Sequence, residues 1–143
     1  MISKLRHTGI VVRNLDQSVV FYEALGFKTW KRELEQGQFL ETLVHLKKAR
    51  VETAKLKAPC GALLELLEYH SHPEQKEISP QASNQLGFSH IALTVGSIDK
   101  TLECVHSCGG SLVNQPATSP DGTVRVAYCH DPEGNLLELV EEI

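Results

Sequence analysis

The alternation of apolar and polar residues begins each half of the chain in the same way. Residues 5–12 and 88–95 are short, rich in β-branched and other apolar side chains, and typical of strands. Residues 16–25 and 99–108 follow with apolar positions at helical spacing, so each half begins with a strand and then a helix. The predicted helix boundaries are N-caps at Asp16 and Asp99 and stops at Gly26 and Gly109.

Turn residues divide the remainder of each half into further strands. Pro and Gly occur together at residues 59–61 and 132–134, each time before an apolar stretch, and again at residues 120–122. These positions predict hairpin turns between strands. The polar segment at residues 70–87 contains two prolines and is predicted to be a linker.

The two halves are copies of one another. With an offset of 73 residues, 51–69 aligns with 124–142, and nine of the 19 pairs are identical. The first strands and helices align with an offset of 83, so the first copy carries ten extra residues. These fall around residues 38–50, where Phe39, Leu43 and Leu46 have helical spacing.

This order of elements predicts an α+β fold made of two tandem βαβββ modules within a single domain spanning residues 1–143. We place module 1 at about residues 3–70, the linker at about 70–87 and module 2 at about 88–143.

A histidine and a glutamate recur at matching positions of both copies, His7 with Glu65 and His90 with Glu138. Because side chains alternate along a strand, each histidine shares its face with small residues such as Gly9. Each glutamate lies in mid-strand among leucines, where a carboxylate is costly unless it is paired or bound to a cation. The repeated pair therefore predicts a divalent-metal site.

Other histidines lack such a repeated partner. His70 and His72 open the linker and are predicted to lie in a solvated loop, and His130 with Asp131 precedes a turn and is predicted to be at the surface. Cys104 and Cys108 are one helical turn apart, which indicates two small apolar residues on a helix face in preference to a redox pair.

Composition narrows the class of protein. Hydrophobic residues make up 41% and charged residues 22%, as in ordinary globular proteins, and the formal net charge is −4. The basic residues are scattered, so we expect no nucleic-acid partner. The apolar runs are too short to span a bilayer and no signal peptide is recognisable, so we expect no membrane partner and a cytoplasmic location.

Several segments of the chain resemble the vicinal-oxygen-chelate superfamily, which includes glyoxalase I, methylmalonyl-CoA epimerase, extradiol dioxygenases and bleomycin-resistance proteins. The segments are His-Thr-Gly-Ile-Val-Val at residue 7, Gly-Ala-Leu-Leu-Glu-Leu at residue 61, His-Ile-Ala-Leu-Thr-Val at residue 90 and Asp-Pro-Glu-Gly-Asn-Leu-Leu-Glu-Leu at residue 131. The resemblance covers nearly the whole chain. It implies a cupped mixed sheet around one divalent ion, which could be Ni, Co, Zn, Mn or Fe.

By this resemblance His7, Glu65, His90 and Glu138 are the metal ligands, in the His-Glu-His-Glu set typical of glyoxalase I. The chain departs from glutathione-using members at Val11, where they usually have Arg, and at Tyr69, where they usually have Asn. The groups that anchor glutathione are therefore predicted to be absent.

The chemistry implied is that of a metal-dependent lyase, isomerase or epimerase that abstracts a proton beside a metal-chelated carbonyl. The substrate would be a small molecule with adjacent oxygens, the base a ligand glutamate, Glu138 or alternatively Glu65, and the protein a homodimer. Two alternatives are an extradiol-type dioxygenase and a drug-sequestering protein of the bleomycin-resistance type. Oxygenase chemistry needs an open position on the metal, which a fourth protein ligand occupies. Proteins of the bleomycin-resistance type lack the metal residues, whereas this chain has all four.

Overall fold

A computed structural model describes all residues from Met1 to Ile143 and divides the chain into two compact units, Met1–Lys76 and Glu77–Ile143. Both units contain helices and mixed sheets, which confirms the predicted α+β class and the βαβββ order of elements. None of the helices is long and apolar enough to span a membrane.

The first unit is a four-stranded sheet in the order β1-β4-β3-β2, with β1 parallel to β4 and the other pairs antiparallel. Its elements are β1 (Thr8–Val11), α1 (Leu15–Ala24), β2 (Lys28–Gln36), α2 (Gln38–Val44), β3 (Arg50–Lys57) and β4 (Leu63–Tyr69). Helix α1 packs on β3 and β4, where Phe21, Tyr22 and Leu66 are almost completely buried. Burying each such side chain contributes about 1.5–3 kcal/mol, so this layer fixes one face of the sheet.

The ten extra residues of the first copy form most of α2 and its flanking turns, as the helical spacing predicted. Its buried side is not the one that spacing suggested, because Phe39 and Leu43 are exposed. Leu40 is buried instead and packs with Ala49 and Val51. The helix ends at His45, which has a left-handed backbone with φ of 60°.

The second unit repeats this plan with the order β5-β9-β8-β6, and β7 also pairs with β8. Its elements are β5 (Ile91–Thr94), α3 (Ile98–Ser107), β6 (Ser111–Leu112), β7 (Ala117–Thr118), β8 (Val124–His130) and β9 (Leu136–Glu142). The two short strands β6 and β7 together correspond to the single long strand β2. No helix or strand is present between Tyr69 and Ile91.

The helix starts differ from the prediction, because Asp16 and Asp99 are not the N-caps. The caps are Asn14, whose side chain accepts a hydrogen bond from the Gln17 N–H, and Ser97. Each cap has an extended backbone that points its side chain at the free N–H groups of the first turn. The predicted stops are confirmed, since Gly26 and Gly109 follow the helices with positive φ angles of 102° and 88°.

The predicted turns at residues 59–61, 120–122 and 132–134 are confirmed as well. In each of them the glycine N–H bonds to the carbonyl three residues earlier. The first of these turns joins β3 to β4 and so decides which β3 residue lies opposite Glu65.

Candidate metal centre

His7 and Glu65 meet at the junction of two parallel strands in the first unit. Glu65 is in the middle of β4 and lies opposite Gly9, while His7 comes one residue before β1. Because His7 and Gly9 are two residues apart, they share a face, and the Cβ-less Gly9 leaves space beside the carboxylate. The His7 Nε2 atom is 3.1 Å from the Glu65 Oε2 atom.

His90 and Glu138 form the same arrangement in the second unit. Glu138 lies opposite Ala92 in the parallel pair of β5 and β9, and His90 comes one residue before β5. The His90 Nε2 atom is 2.9 Å from the Glu138 Oε2 atom. Both predicted pairs are therefore brought into contact at equivalent positions of the repeat.

The face that carries each pair is the open face of its sheet. Gly9 and Val11 in β1, and Ala92 and Thr94 in β5, are exposed, whereas the alternate residues of both strands are partly buried. Leu66 and Leu139, directly behind the glutamates, are completely buried. The glutamates keep only part of their surface accessible, 12% for the Glu65 side chain and 22% for that of Glu138. Both carboxylates thus lie at the bottom of a solvent-open face.

The two pairs differ in the residue opposite the glutamate on the neighbouring strand. In the first unit Lys55 faces Glu65, and its Nζ atom is 3.3 Å from Glu65 Oε1. In the second unit Tyr128 faces Glu138, with its ring edge-on to that of His90 at 5.2 Å between centroids. Burial and the Glu138 charge raise the pKa of the Tyr128 phenol, so this residue stays neutral. Glu65 therefore has an ammonium partner that Glu138 lacks.

The spacing within each pair suits two ligands of one ion. Two atoms that each bind an ion at about 2.1 Å and form a right angle at it are about 3.0 Å apart. The separations of 3.1 and 2.9 Å agree with that value, and they are also those of a direct hydrogen bond between the imidazole and the carboxylate. The four predicted ligands come together as these two pairs, and no group of three or more His, Cys, Asp or Glu side chains is placed to hold a metal ion.

A second repeated glutamate supports the helices and was missed by sequence reasoning. Glu68 Oε2 accepts a hydrogen bond of 2.8 Å from the Leu15 N–H, and Glu141 Oε2 accepts one of 2.7 Å from the Ile98 N–H. Each carboxylate thus lies at the positive N-terminal end of the helix that follows the histidine strand. The signal was present in the identity of Glu68 and Glu141 under the 73-residue offset.

The aspartates predicted as caps bind arginines. Asp16 contacts Arg32 at 2.7 Å, and Asp99 contacts Arg125 at 3.1 and 3.2 Å. Arg32 also pairs with Glu52, which lies on β3 at the position corresponding to Arg125 on β8. The arginine therefore comes from a different strand in each copy but joins the same helix end to the sheet.

The structure agrees with one prediction about the other histidines and corrects another. His70 lies in an exposed bend directly after β4, as predicted, and its ring is 3.0 Å from Glu52; hydrogen bonds from His70 and Arg32 lower the pKa of that carboxyl. His130 and Asp131 are not at the surface and are only 8% and 3% exposed. Asp131 accepts hydrogen bonds from the N–H groups of Glu133 and Asn135 in the turn at residues 131–135, and the His130 ring lies 2.9 Å from the Gln81 carbonyl oxygen.

The sequence and the fold are similar to those of known proteins. The family model described as Glyoxalase/Bleomycin resistance protein/Dioxygenase superfamily matches residues 4–139. The chain is 32% identical to a probable lactoylglutathione lyase from Synechocystis over 96% of the chain and 94% of that protein. It is 27% identical to a lactoylglutathione lyase from Haemophilus influenzae, over 96% of the chain and 92% of that protein. A crystal structure of a glyoxalase family protein from Bacillus cereus superposes with a TM-score of 0.92 at 26% identity, covering 100% of this chain and 96% of that one.

Proposed function

The chain belongs to the Glyoxalase/Bleomycin resistance protein/Dioxygenase superfamily, and we propose that it is a divalent-metal-dependent lyase of the glyoxalase type. The observation that carries the proposal is the His–Glu pair that recurs on the open face of both sheets. Relatives named as lactoylglutathione lyases along nearly the whole chain support lyase chemistry within this broad superfamily.

His7, Glu65, His90 and Glu138 are the proposed ligands of one ion, with Ni, Co, Zn, Mn and Fe as candidates. Two imidazoles and two carboxylates suit a five- or six-coordinate divalent ion that keeps a position for substrate. Such an ion supplies Lewis-acid polarisation of a carbonyl oxygen. The four ligands of one ion come either from one chain or from two chains of the predicted homodimer.

Glu138 is the proposed general base, which would take the proton from the carbon beside the carbonyl and return it to the neighbouring carbon. The ion pair with Lys55 ties one oxygen of Glu65 to an ammonium group, whereas Glu138 pairs only with His90. Of the two carboxylates, Glu138 is therefore freer to move and accept a proton. Glu65 is the alternative base, which the substitutions below distinguish.

The proposed substrate is a small molecule with two adjacent oxygens, held by groups other than those that anchor glutathione. Val11 is 56% exposed on the histidine face and offers no polar atom in its side chain. Tyr69 packs against the cluster of Leu40, Ala49 and Val51 beneath α2. We therefore expect the methylglyoxal–glutathione hemithioacetal to be turned over with kcat/KM below about 10⁴ M⁻¹s⁻¹. A higher value would show that other side chains hold glutathione.

Metal analysis of protein purified without added metal tests the ligand set. We expect one divalent ion per chain, and a sharp loss of metal in the His90→Ala variant. His72→Ala is the matched control, because the His72 ring hydrogen-bonds to the neighbouring Ser71 hydroxyl, at 2.8 Å, and is not a proposed ligand. Equal metal content in both variants would remove His90 from the set.

Solvent exchange tests the base. Small 2-hydroxy ketones, 2-oxo acids and acyl thioesters would be incubated with metal-loaded protein in deuterated buffer while the α-proton signal is followed. General-base catalysis is typically worth about 10²–10⁴-fold, so Glu138→Gln should slow exchange by that factor and Glu65→Gln by less. The reverse order would assign the base to Glu65, and exchange that survives both substitutions would exclude a glutamate base.

A further inference from the structure

A pocket of about 460 Å³ lies in the first unit, at the end of the β2–β3 ladder, outside the proposed metal centre. Its lining residues are Gly26, Lys28, Thr29, Trp30, Lys57, Ala58 and Pro59. None of them is a proposed metal ligand or base. The pocket is therefore distinct from the proposed metal centre.

Two lysines of this pocket lie directly opposite one another. Lys28 on β2 pairs in register with Lys57 on β3, an arrangement in which like charges repel. The next lysines along the same ladder are neutralised, since Lys31 pairs with Glu33 and Lys55 pairs with Glu33 and Glu65. No carboxylate pairs with Lys28 or Lys57, so the mouth of the pocket carries two unneutralised positive charges.

The fold itself does not require this pair of charges. In the second copy the corresponding positions hold Ser111 and His130, which also face one another across the ladder. Their side chains are 3.4 Å apart, and His130 is buried. The same place in the same fold thus holds a serine and a buried histidine in one copy and two exposed lysines in the other.

An exposed indole completes the pocket. The register of β2 and β3 shifts between Thr29 and Lys31, so Trp30 is the extra residue of a bulge, a feature that redirects a side chain. Trp30 is 57% exposed, and the Lys57 ammonium is 4.8 Å from the centroid of its ring. An apolar aromatic surface therefore adjoins a cationic group at a distance that a single small ligand can bridge.

We propose that this pocket binds a small molecule in which a carboxylate or phosphate is attached to a flat aromatic ring. The anion lies between the ammonium groups of Lys28 and Lys57, where it removes their mutual repulsion. The ring lies against Trp30, where it covers exposed apolar surface.

Fluorescence of Trp30 reports directly on this site, because it is the one tryptophan of the chain. The protein would be titrated in EDTA, so that the outcome does not depend on the metal centre. The probes are phenyl phosphate and benzoate, with phenol as the ring alone and inorganic phosphate and acetate as the anions alone. We expect saturable quenching by phenyl phosphate, by benzoate or by both, at least tenfold tighter than by phenol, phosphate or acetate. Tighter binding of phenyl phosphate than of benzoate would identify the anion as a phosphate, and the reverse a carboxylate.

Substitution of the lysines gives the second arm of the test. Lys28→Gln and Lys57→Gln should each weaken binding at least tenfold. Lys28→Gln should do so without lowering the unfolding temperature, because it relieves a repulsion and removes no contact with Trp30. Lys31→Gln is the matched control and should leave binding unchanged. The proposal is overturned if neither phenyl phosphate nor benzoate binds more tightly than phenol, inorganic phosphate and acetate, or if binding survives Lys57→Gln.

Discussion

Truncation of Glu141 to alanine should destabilise the protein by about 2–4 kcal/mol. The carboxylate accepts a 2.7 Å hydrogen bond from the N–H of Ile98, a residue with no exposed surface. A hydrogen bond to a charged group contributes about 1.5–3 kcal/mol, and its position at a helix N-terminus adds about 0.3–1 kcal/mol. Arg125 remains paired with Asp99 in the variant, which limits the loss to the helix end.

Urea unfolding followed by circular dichroism measures this loss. Glu141→Gln keeps an acceptor oxygen but removes the charge, so it should cost about 1 kcal/mol, which separates the hydrogen bond from the electrostatic contribution. Glu142→Ala is the matched control at an adjacent, exposed position and should change the free energy of unfolding by less than about 0.5 kcal/mol. Equal effects of Glu141→Ala and Glu142→Ala would refute the assignment of Glu141 as a helix-supporting carboxylate.

Two further outcomes follow from close packing. Gly110→Ala should lower the free energy of unfolding by about 1–3 kcal/mol in the same urea assay, because the added Cβ would lie 2.5 Å from a backbone carbonyl oxygen. Gly96→Ala is the control and should be tolerated, because its added Cβ meets nothing within 4 Å. Burial raises the pKa of the Cys129 thiol to about 11. Ellman's reagent at pH 8 should therefore modify the exposed Cys60 and leave Cys129 unmodified until the protein is unfolded. Equal rates of modification of the two thiols in the folded protein would contradict this.

The sequence alone predicts the repeated βαβββ plan and the pairing of each histidine with its glutamate. The plan follows from the identities between the copies together with local periodicity and turn residues, which act over a few neighbouring positions. The pairing follows from the recurrence of one histidine and one glutamate at matching positions of both copies. Strand alternation adds only that each histidine shares a face with the second residue of the strand that follows it.

The tertiary structure alone decides which partners those residues meet across the sheet. Lys55 faces Glu65, and Tyr128 faces Glu138, because the turns between the last two strands of each copy fix the register. Hydrophobic periodicity does not specify this register, because a shift of a strand by two residues keeps the same face buried. The ammonium beside one predicted ligand, and the phenol beside the other, could therefore not be predicted from the pattern.

The helix ends show the same division between local and long-range determinants. Sequence placed the N-caps at Asp16 and Asp99, and the structure uses the residues Asn14 and Ser97 instead. The aspartates form ion pairs with arginines that are 16 and 26 residues away along the chain. A local rule ranks residue types that can cap a helix, but only the packed sheet determines which distant cation or N–H group each carboxylate reaches.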